Sequence, residues 1–196
     1  MSTADADHFE ARFRADPDPW RYEASAYERA KYARTLDACG PGPFPRALEL
    51  GAANGVFSAL LAKRCEELVT IDFSPTAVGL ARERLAGAAH VTVLQGTIPD
   101  DLPLGDGFDL VVASEVLYYL PGDDFRRTVD RLPRLLGAGG RLVAAHWTGQ
   151  APDLHRSAAE THRALRTGSG LRPVPDPVGA TAAPARGYLL DAFEMR

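Results

Sequence analysis

Residues 47–55 read Ala47-Leu48-Glu49-Leu50-Gly51-Ala52-Ala53-Asn54-Gly55. A short apolar run, the mark of a buried strand, ends in an acid and a glycine, and a second glycine opens a helical pattern from Val56 to Arg64. Glycines let the backbone pass close to a ligand, and a helix start presents unpaired N–H groups. Three kinds of ligand loop compete for such a turn. A nicotinamide-dinucleotide loop wants G-x-G-x-x-G, but counting from Gly51 its second and third glycine positions hold Ala53 and Val56. A phosphate loop wants Gly-Lys-Ser/Thr, and Gly55-Val56-Phe57 does not supply it. An S-adenosylmethionine (SAM) loop, an acid before G-x-x-x-G, fits.

Downstream, the same arrangement of strand, turn and helix recurs. Leu68-Val69-Thr70-Ile71 reads as a second strand that ends at Asp72, about 20 residues after Gly51, where a carboxylate can accept both hydroxyls of a ribose. Ser74-Pro75 gives an N-cap followed by proline at the first helical position, so Asp72 is not needed as a cap. Phe73 is placed to cover an adenine face or to join the core. Val91–Leu94 is the third strand, and Gly96, Thr97 and Ile98 follow it where an adenine edge would lie. Phe108–Ala113 is the fourth, after which the backbone of Ser114 and Glu115 should border the methionine end of the cofactor. A helix from Asp123 contains Pro133, which should kink it or shorten its ladder. Arg141–Ala145 is the fifth strand. Residues 152–166 look helical, 168–187 are rich in Pro, Gly and Ala and suggest a mobile loop with a short strand near Leu171, and Tyr188–Glu194 reads as a last strand. Strands spaced by helices argue for an α/β, doubly wound, mostly parallel sheet with its ligand beyond the C-terminal strand ends.

Upstream, Met1 to Cys39 has no strand-like run. Ser25-Ala26-Tyr27-Glu28 fits a capping box, in which the serine binds first-turn amides and Glu28 reaches back, and starts a helix to about Ala38. Gly40-Pro41-Gly42-Pro43-Phe44-Pro45 breaks the chain after it, so residues 1–40 are expected as a helical extension, or lid, and 41–196 as the cofactor-binding domain. Trp20, Tyr27 and Lys31 of the extension are expected at the cofactor, Tyr27 and Lys31 on one helix face.

The chain has 196 residues, 45% hydrophobic and 24% charged, with a net charge of −4 and no Lys/Arg run, which argues against nucleic acid as a partner. Cys39 and Cys65 make no disulfide framework and suit a reducing cytoplasm. The polar, acidic N-terminus is not a signal peptide, and no apolar stretch reaches the ~20 residues a membrane span needs.

Asp18-Pro19-Trp20, Tyr27-Glu28-x-x-Lys31-Tyr32, Glu49-Leu50-Gly51, Ser114-Glu115-Val116-Leu117-Tyr118-Tyr119-Leu120 and His146-Trp147 together resemble the nodulation-protein-S-like methyltransferases over nearly the whole chain, most weakly beyond Leu165. The resemblance implies the class I methyltransferase fold with a seven-stranded sheet, SAM as cofactor and S-adenosylhomocysteine as product. It implies methylation of a small-molecule acceptor, most naturally an amine nitrogen of an amino-sugar or related metabolite. The chain departs from the family at Ala53, where glycine is common, and at Thr97, where aspartate is common.

The expected cofactor set is therefore Trp20, Tyr27, Lys31, Glu49, Gly51, Ala52, Asn54, Gly55, Asp72, Phe73, Gly96, Thr97, Ile98, Ser114 and Glu115. Glu115 and His146, both just past strand ends, are the catalytic candidates for taking a proton and stabilising new positive charge. The competing reading of His146 is a hydrogen-bonded structural histidine. Tyr118 and Tyr119 are candidates for the acceptor pocket, and His155 and His162, seven apart on one expected helix face, for surface or pocket wall. No metal-ligand spacing is present. The protein is expected as a monomer or homodimer, with no membrane partner. The alternatives are an O-methyltransferase on a sugar or secondary metabolite, a non-catalytic SAM-binding protein with its acceptor cavity blocked by residues 168–187, and, least favoured, a dinucleotide-binding module.

Overall fold

The structure, a computed structural model, describes residues 3–103, 107–175 and 187–196. Two helices, α1 (Thr3–Ala15) and α2 (Ala26–Cys39), precede the sheet. Then follow β1 (Phe44–Leu50), α3 (Val56–Leu61), β2 (Cys65–Asp72), α4 (Pro75–Arg84), β3 (Val91–Gln95), β4 (Phe108–Ser114), α5 (Gly122–Leu135), β5 (Leu136–Trp147), α6 (Ala158–Gly168), β6 (Arg172–Pro173) and β7 (Tyr188–Glu194). The order across the sheet is β3-β2-β1-β4-β5-β7-β6. The first five strands are parallel, and β7 runs antiparallel between β5 and β6. This is the seven-stranded, mostly parallel sheet expected, with a helical extension in front.

Alternation within the strands divides the core into two layers. Val111 and Ala113 of β4 face Phe125, Val129 and Leu132 of α5, while Leu110 and Val112 face Tyr32 and Ala38 of α2 and Leu61 of α3. Both sides are buried, which is why the strands read as continuous apolar runs. The order reverses between β1 and β4, so the tips of these strands open a crevice, and β2 borders it.

The local rules hold at α4, where Ser74 accepts from Ala77 N and Pro75 sits at the first turn. They hold by half at α2: Ser25 Oγ accepts from Glu28 N at 3.3 Å, but the Glu28 carboxylate turns to Lys31 at 3.0 Å. Ser25 N is already bonded to Arg21 O, and a buried ammonium is the more demanding partner. The capping box lies instead at Ser157 and Glu160, so the helix expected from residue 152 begins at Ala158. Pro133 falls two residues from the end of α5, where little ladder remains to break. The strand expected from Arg141 begins at Leu136: β4 and β5 pair Phe108 with Leu136 and Leu110 with Arg141, so the glycine run 137–140 bulges out between them. A Cβ at Gly140 would stand 2.7 Å from Phe108 O. Helix α1 was not among the elements expected from the sequence. The expected mobile loop falls largely on residues 176–186, outside the described residues.

Candidate functional site

The crevice is built first from backbone. Gly51 leaves β1 at φ +83°, and its N–H and that of Ala52 both donate to Ile71 O at the end of β2. The turn continues through Ala53 at φ +46°, a left-handed conformation that costs a non-glycine residue roughly 1 kcal/mol. Ala53 N donates to Asp72 Oδ2 at 2.9 Å and Ser74 N to Oδ1 at 3.0 Å. Asp72 is 8% exposed, and burial pushes its pKa up against those amide bonds. Each of its oxygens keeps lone-pair capacity toward the crevice, and among the described residues no cation is ion-paired with it. A buried carboxylate in that condition is suited to neutral hydroxyl donors, as a ribose diol offers.

Gly51, Ala53, Asp72, Phe73, Gly96 and Ile98 line one side of the crevice, and Ser114, Glu115 and Val116 line the floor. Glu49 lies behind the turn in an adjoining recess shared with Ala52 and Asn54. It is 2% exposed and accepts from Ser58 Oγ at 2.5 Å and Thr70 Oγ1 at 2.8 Å. Burial outweighs these bonds and raises its pKa to about 7. Two expected residues do other work. A Cβ on Gly55 would meet Ala81 Cα at 3.0 Å, so this glycine packs α3 against α4 and lies outside the crevice lining. Thr97 gives its N–H and hydroxyl to Asp101 Oδ2, at 2.8 and 3.0 Å, and its side chain is turned to that loop.

The roof comes from the extension. Phe9 and Phe13 of α1, with Trp20 and Tyr22, close the crevice from the other side. Phe9 meets Tyr119 edge-on at 4.8 Å and Phe73 at 6.1 Å. Glu10 fixes α1 in place: its carboxylate accepts from Ser74 Oγ at 2.6 Å and from Thr76 Oγ1 at 2.7 Å and N at 3.2 Å, at the start of α4. Burial opposes its charge, but these bonds and Arg14 win and hold its pKa at about 2. Asn54 makes a second tie through Pro17 O and Asp18 Oδ1. Asp18 Oδ1 also accepts from Tyr22 N at 2.7 Å, which accounts for the Asp18-Pro19-Trp20 segment as the clasp before α2.

Beyond Glu115 lies a second cavity, walled by Trp20, Tyr27, Tyr118, Tyr119 and Trp147. Glu115 borders both cavities and sits at φ +56°. Its Oε1 takes Lys31 Nζ at 2.6 Å, and its Oε2 takes the Tyr118 hydroxyl and, at 3.0 Å, Trp147 N. Lys31 is 2% exposed and also bonds Glu28. Its ammonium lies 5.3 Å from the Tyr27 ring centroid, and Tyr27 Oη donates to Gly187 O. Tyr27 and Lys31, expected at the cofactor, thus belong to the second cavity, and Trp20 borders both. The ionisable lining there is Arg12 and Lys31 against Glu28, Glu115 and Asp153, an excess of one negative charge.

His146 is brought to neither cavity. Its ring is wholly buried, with Nε2 accepting from Leu117 N at 3.2 Å and Nδ1 facing His162 Nε2 at 3.1 Å. Burial, with His162 and Lys31 nearby, lowers its pKa well below the usual imidazole value. The geometry is that of the hydrogen-bonded histidine, not of a base open to substrate. His155 lies at the surface, as expected, but it precedes α6, so the two histidines do not share a helix face. His162 is as buried as His146 and lines neither cavity, which corrects its expected place at the surface or a pocket wall. The residues missed from sequence are Phe9, Glu10 and Phe13, together with Tyr22. Phe9 and Phe13, four apart in an otherwise polar segment, were the available signal. Among the described residues no group of side chains could hold a metal ion, and no helix is long and apolar enough to cross a membrane.

A family model described as Nodulation protein S (NodS) matches residues 3–149. A Nodulation protein S of Rhizobium tropici is 37% identical over 78% of this chain and 66% of its own length. That of Sinorhizobium fredii is 35% identical over 69% and 63%. The chain thus spans just under two thirds of the length of these curated relatives. The crystal structure of the N-methyltransferase NodS from Bradyrhizobium japonicum WM9, in complex with S-adenosyl-L-homocysteine, superposes with a TM-score of 0.83 at 28% identity, covering 97% of this chain and 98% of that one. With the family model matching residues 3–149 and a relative 37% identical over 78% of this chain, the chain belongs to the nodulation protein S family.

Proposed function

We propose that this protein is a SAM-dependent methyltransferase that methylates an amine nitrogen of a small molecule, such as an amino-sugar. The observation that carries the reading is the position of Glu115, shared between a crevice suited to an adenosine and a second cavity with an excess of negative charge. The solved relative, an N-methyltransferase with S-adenosyl-L-homocysteine bound, supports both the reaction class and the cofactor.

Asp72 would hold the ribose hydroxyls, Gly96 and Ile98 the adenine, and the Gly51–Ala53 turn with Glu49 the amino-acid tail. When bound, SAM supplies a methyl group already activated on a cationic sulfur. The protein's part is then alignment and exclusion of water, and alignment alone is worth about 7–11 kcal/mol of barrier. The aromatic roof of Phe9, Phe13 and Trp20 excludes water. The second cavity draws in a cationic amine, the nitrogen attacks once its proton has passed to solvent, and the Glu115 and Glu28 carboxylates stabilise the charge that it acquires on methylation. Tyr27 and Trp147, each 38% exposed, offer faces on which a sugar ring can stack. An O-methyl acceptor would need a free base beside its hydroxyl, and Glu115 is already engaged by Lys31, Tyr118 and Trp147 N. Two free thiols suit the cytoplasm.

The test is incubation with labelled SAM and a panel of amino-sugars and hydroxylated metabolites, with products identified by mass. Label on nitrogen is expected. Label on oxygen, or SAM bound without turnover across the panel, would overturn the amine reading.

A further inference from the structure

A chain of hydrogen bonds, exposed at Arg166 and buried from His162 inward, runs from α6 and β7 to the turn that follows the floor of the site. Arg166 donates to Asp191 Oδ1 at 2.6 Å, His162 Nδ1 meets Asp191 Oδ2 at 2.8 Å, and His162 Nε2 meets His146 Nδ1 at 3.1 Å. His146 Nε2 ends the chain on Leu117 N at 3.2 Å. His146 and His162 are both fully buried. Leu117 begins the 3-10 turn Leu117–Tyr119, whose Tyr118 hydroxyl bonds Glu115. The Tyr118 ring also packs edge-on against His146 at 4.9 Å.

Hydrogen positions follow by accounting from the two ends. A backbone N–H can only donate, so His146 Nε2 carries a lone pair and its proton is on Nδ1. That proton points at His162 Nε2, which must therefore be an acceptor, so the His162 proton is on Nδ1 and points at Asp191. Burial works against the charge of Asp191, but the bonds from His162 and Arg166 prevail and hold its carboxyl below the usual range. The carboxylate needs both oxygens, one for each donor.

We propose that Asp191, through His162 and His146, locks both rings as neutral Nδ1–H tautomers and so positions the Leu117–Tyr119 turn that presents Tyr118 to Glu115. Asp191, His162 and His146 are positioning residues in this account, and their bearing on methyl transfer rests on the role given to Glu115 above. The sequence assigns no such work to Asp191 or His162, which are 29 residues apart. Substitution at the far end has a defined consequence. An asparagine at 191 has one oxygen for two donors, and where the Arg166 guanidinium takes it an NH2 group faces His162 Nδ1. His162 must then carry its proton on Nε2, against the Nδ1–H of His146.

The test needs no acceptor, so it stands or falls separately from the amine reading. Imidazole nitrogen NMR of the full chain with S-adenosylhomocysteine should show both rings neutral with Nδ1 protonated. In Asp191→Asn, His162 should switch to Nε2–H and the Leu117 amide should exchange with solvent roughly tenfold faster, one hydrogen bond being lost. His146→Gln, which keeps an acceptor for Leu117 N, should retain amide protection that His146→Leu loses. An Nε2-protonated or cationic His146 in the unsubstituted protein would overturn the proposal. So would Leu117 protection that is unchanged in both Asp191→Asn and His146→Leu.

Discussion

The two cavities that meet at Glu115 are made in different ways. The crevice takes its floor and one side from strand tips, with a left-handed turn after β1, a carboxylate ending β2 and a glycine after β3, and its roof from aromatic side chains of the extension. The second cavity is made of side chains from α2, the Leu117–Tyr119 turn and the end of β5, held by one ammonium among carboxylates. A site on backbone geometry accepts an invariant ligand, and neighbouring side chains can change without disturbing it. A site on side chains can be retuned to a new acceptor, but its parts depend on one another.

Substitutions on the two sides should therefore fail differently. With the ribose diol on Asp72 as proposed, Asp72→Ala, which also frees the amides of Ala53 and Ser74, should weaken SAM binding by roughly a hundredfold, measured by calorimetry. Unchanged binding would remove the distinction at its root. Lys31→Met leaves Glu28 and Glu115 facing each other without their shared cation and should cost about 3 kcal/mol of stability in denaturant unfolding. A loss confined to affinity, with stability preserved, would show that the second cavity is less interdependent than its bonds suggest.

The contrast also explains what could be read from the sequence. The turn, Asp72 and the Ser74-Pro75 cap follow from rules of spacing and conformation that act over about 20 residues. The bond between Lys31 and Glu115 joins residues 84 apart, and no local rule pairs them; the motif segments that contain each were visible, their meeting was not. Helix α1 escaped because its stability comes from two phenylalanines packing on the roof and from Glu10 docking on another helix, both tertiary effects that override weak local periodicity. The inward turn of His162 escaped because its spacing groups it with His155, which precedes α6, whereas its helical neighbours on the buried face are Ala158, Thr161 and Leu165.

Two smaller effects sharpen the picture. Burial raises the pKa of Glu49 from 4.5 to about 7, so the free protein holds a proton there below neutrality, and the ionised form is the better partner for an amino-acid ammonium. SAM affinity should rise by up to about tenfold from pH 6 to pH 8 with release of a proton, and Glu49→Gln should abolish both in paired-buffer calorimetry. Glu10 shifts the other way, from 4.5 to about 2. Its stabilising contribution is complete above pH 4.5 and lost as pH falls toward 2. Glu10→Gln should therefore lower the melting temperature at pH 5 but leave it nearly unchanged at pH 2, and equal losses at both would detach the charge from the docking of α1.

The most direct measurement is a crystal structure with S-adenosylhomocysteine. The account predicts both ribose hydroxyls on the Asp72 carboxylate, the adenine against Phe73 and Ile98, and the sulfur pointing toward Glu115 and the aromatic cavity beyond it. A ribose held away from Asp72, or a sulfur directed away from Glu115, would contradict it.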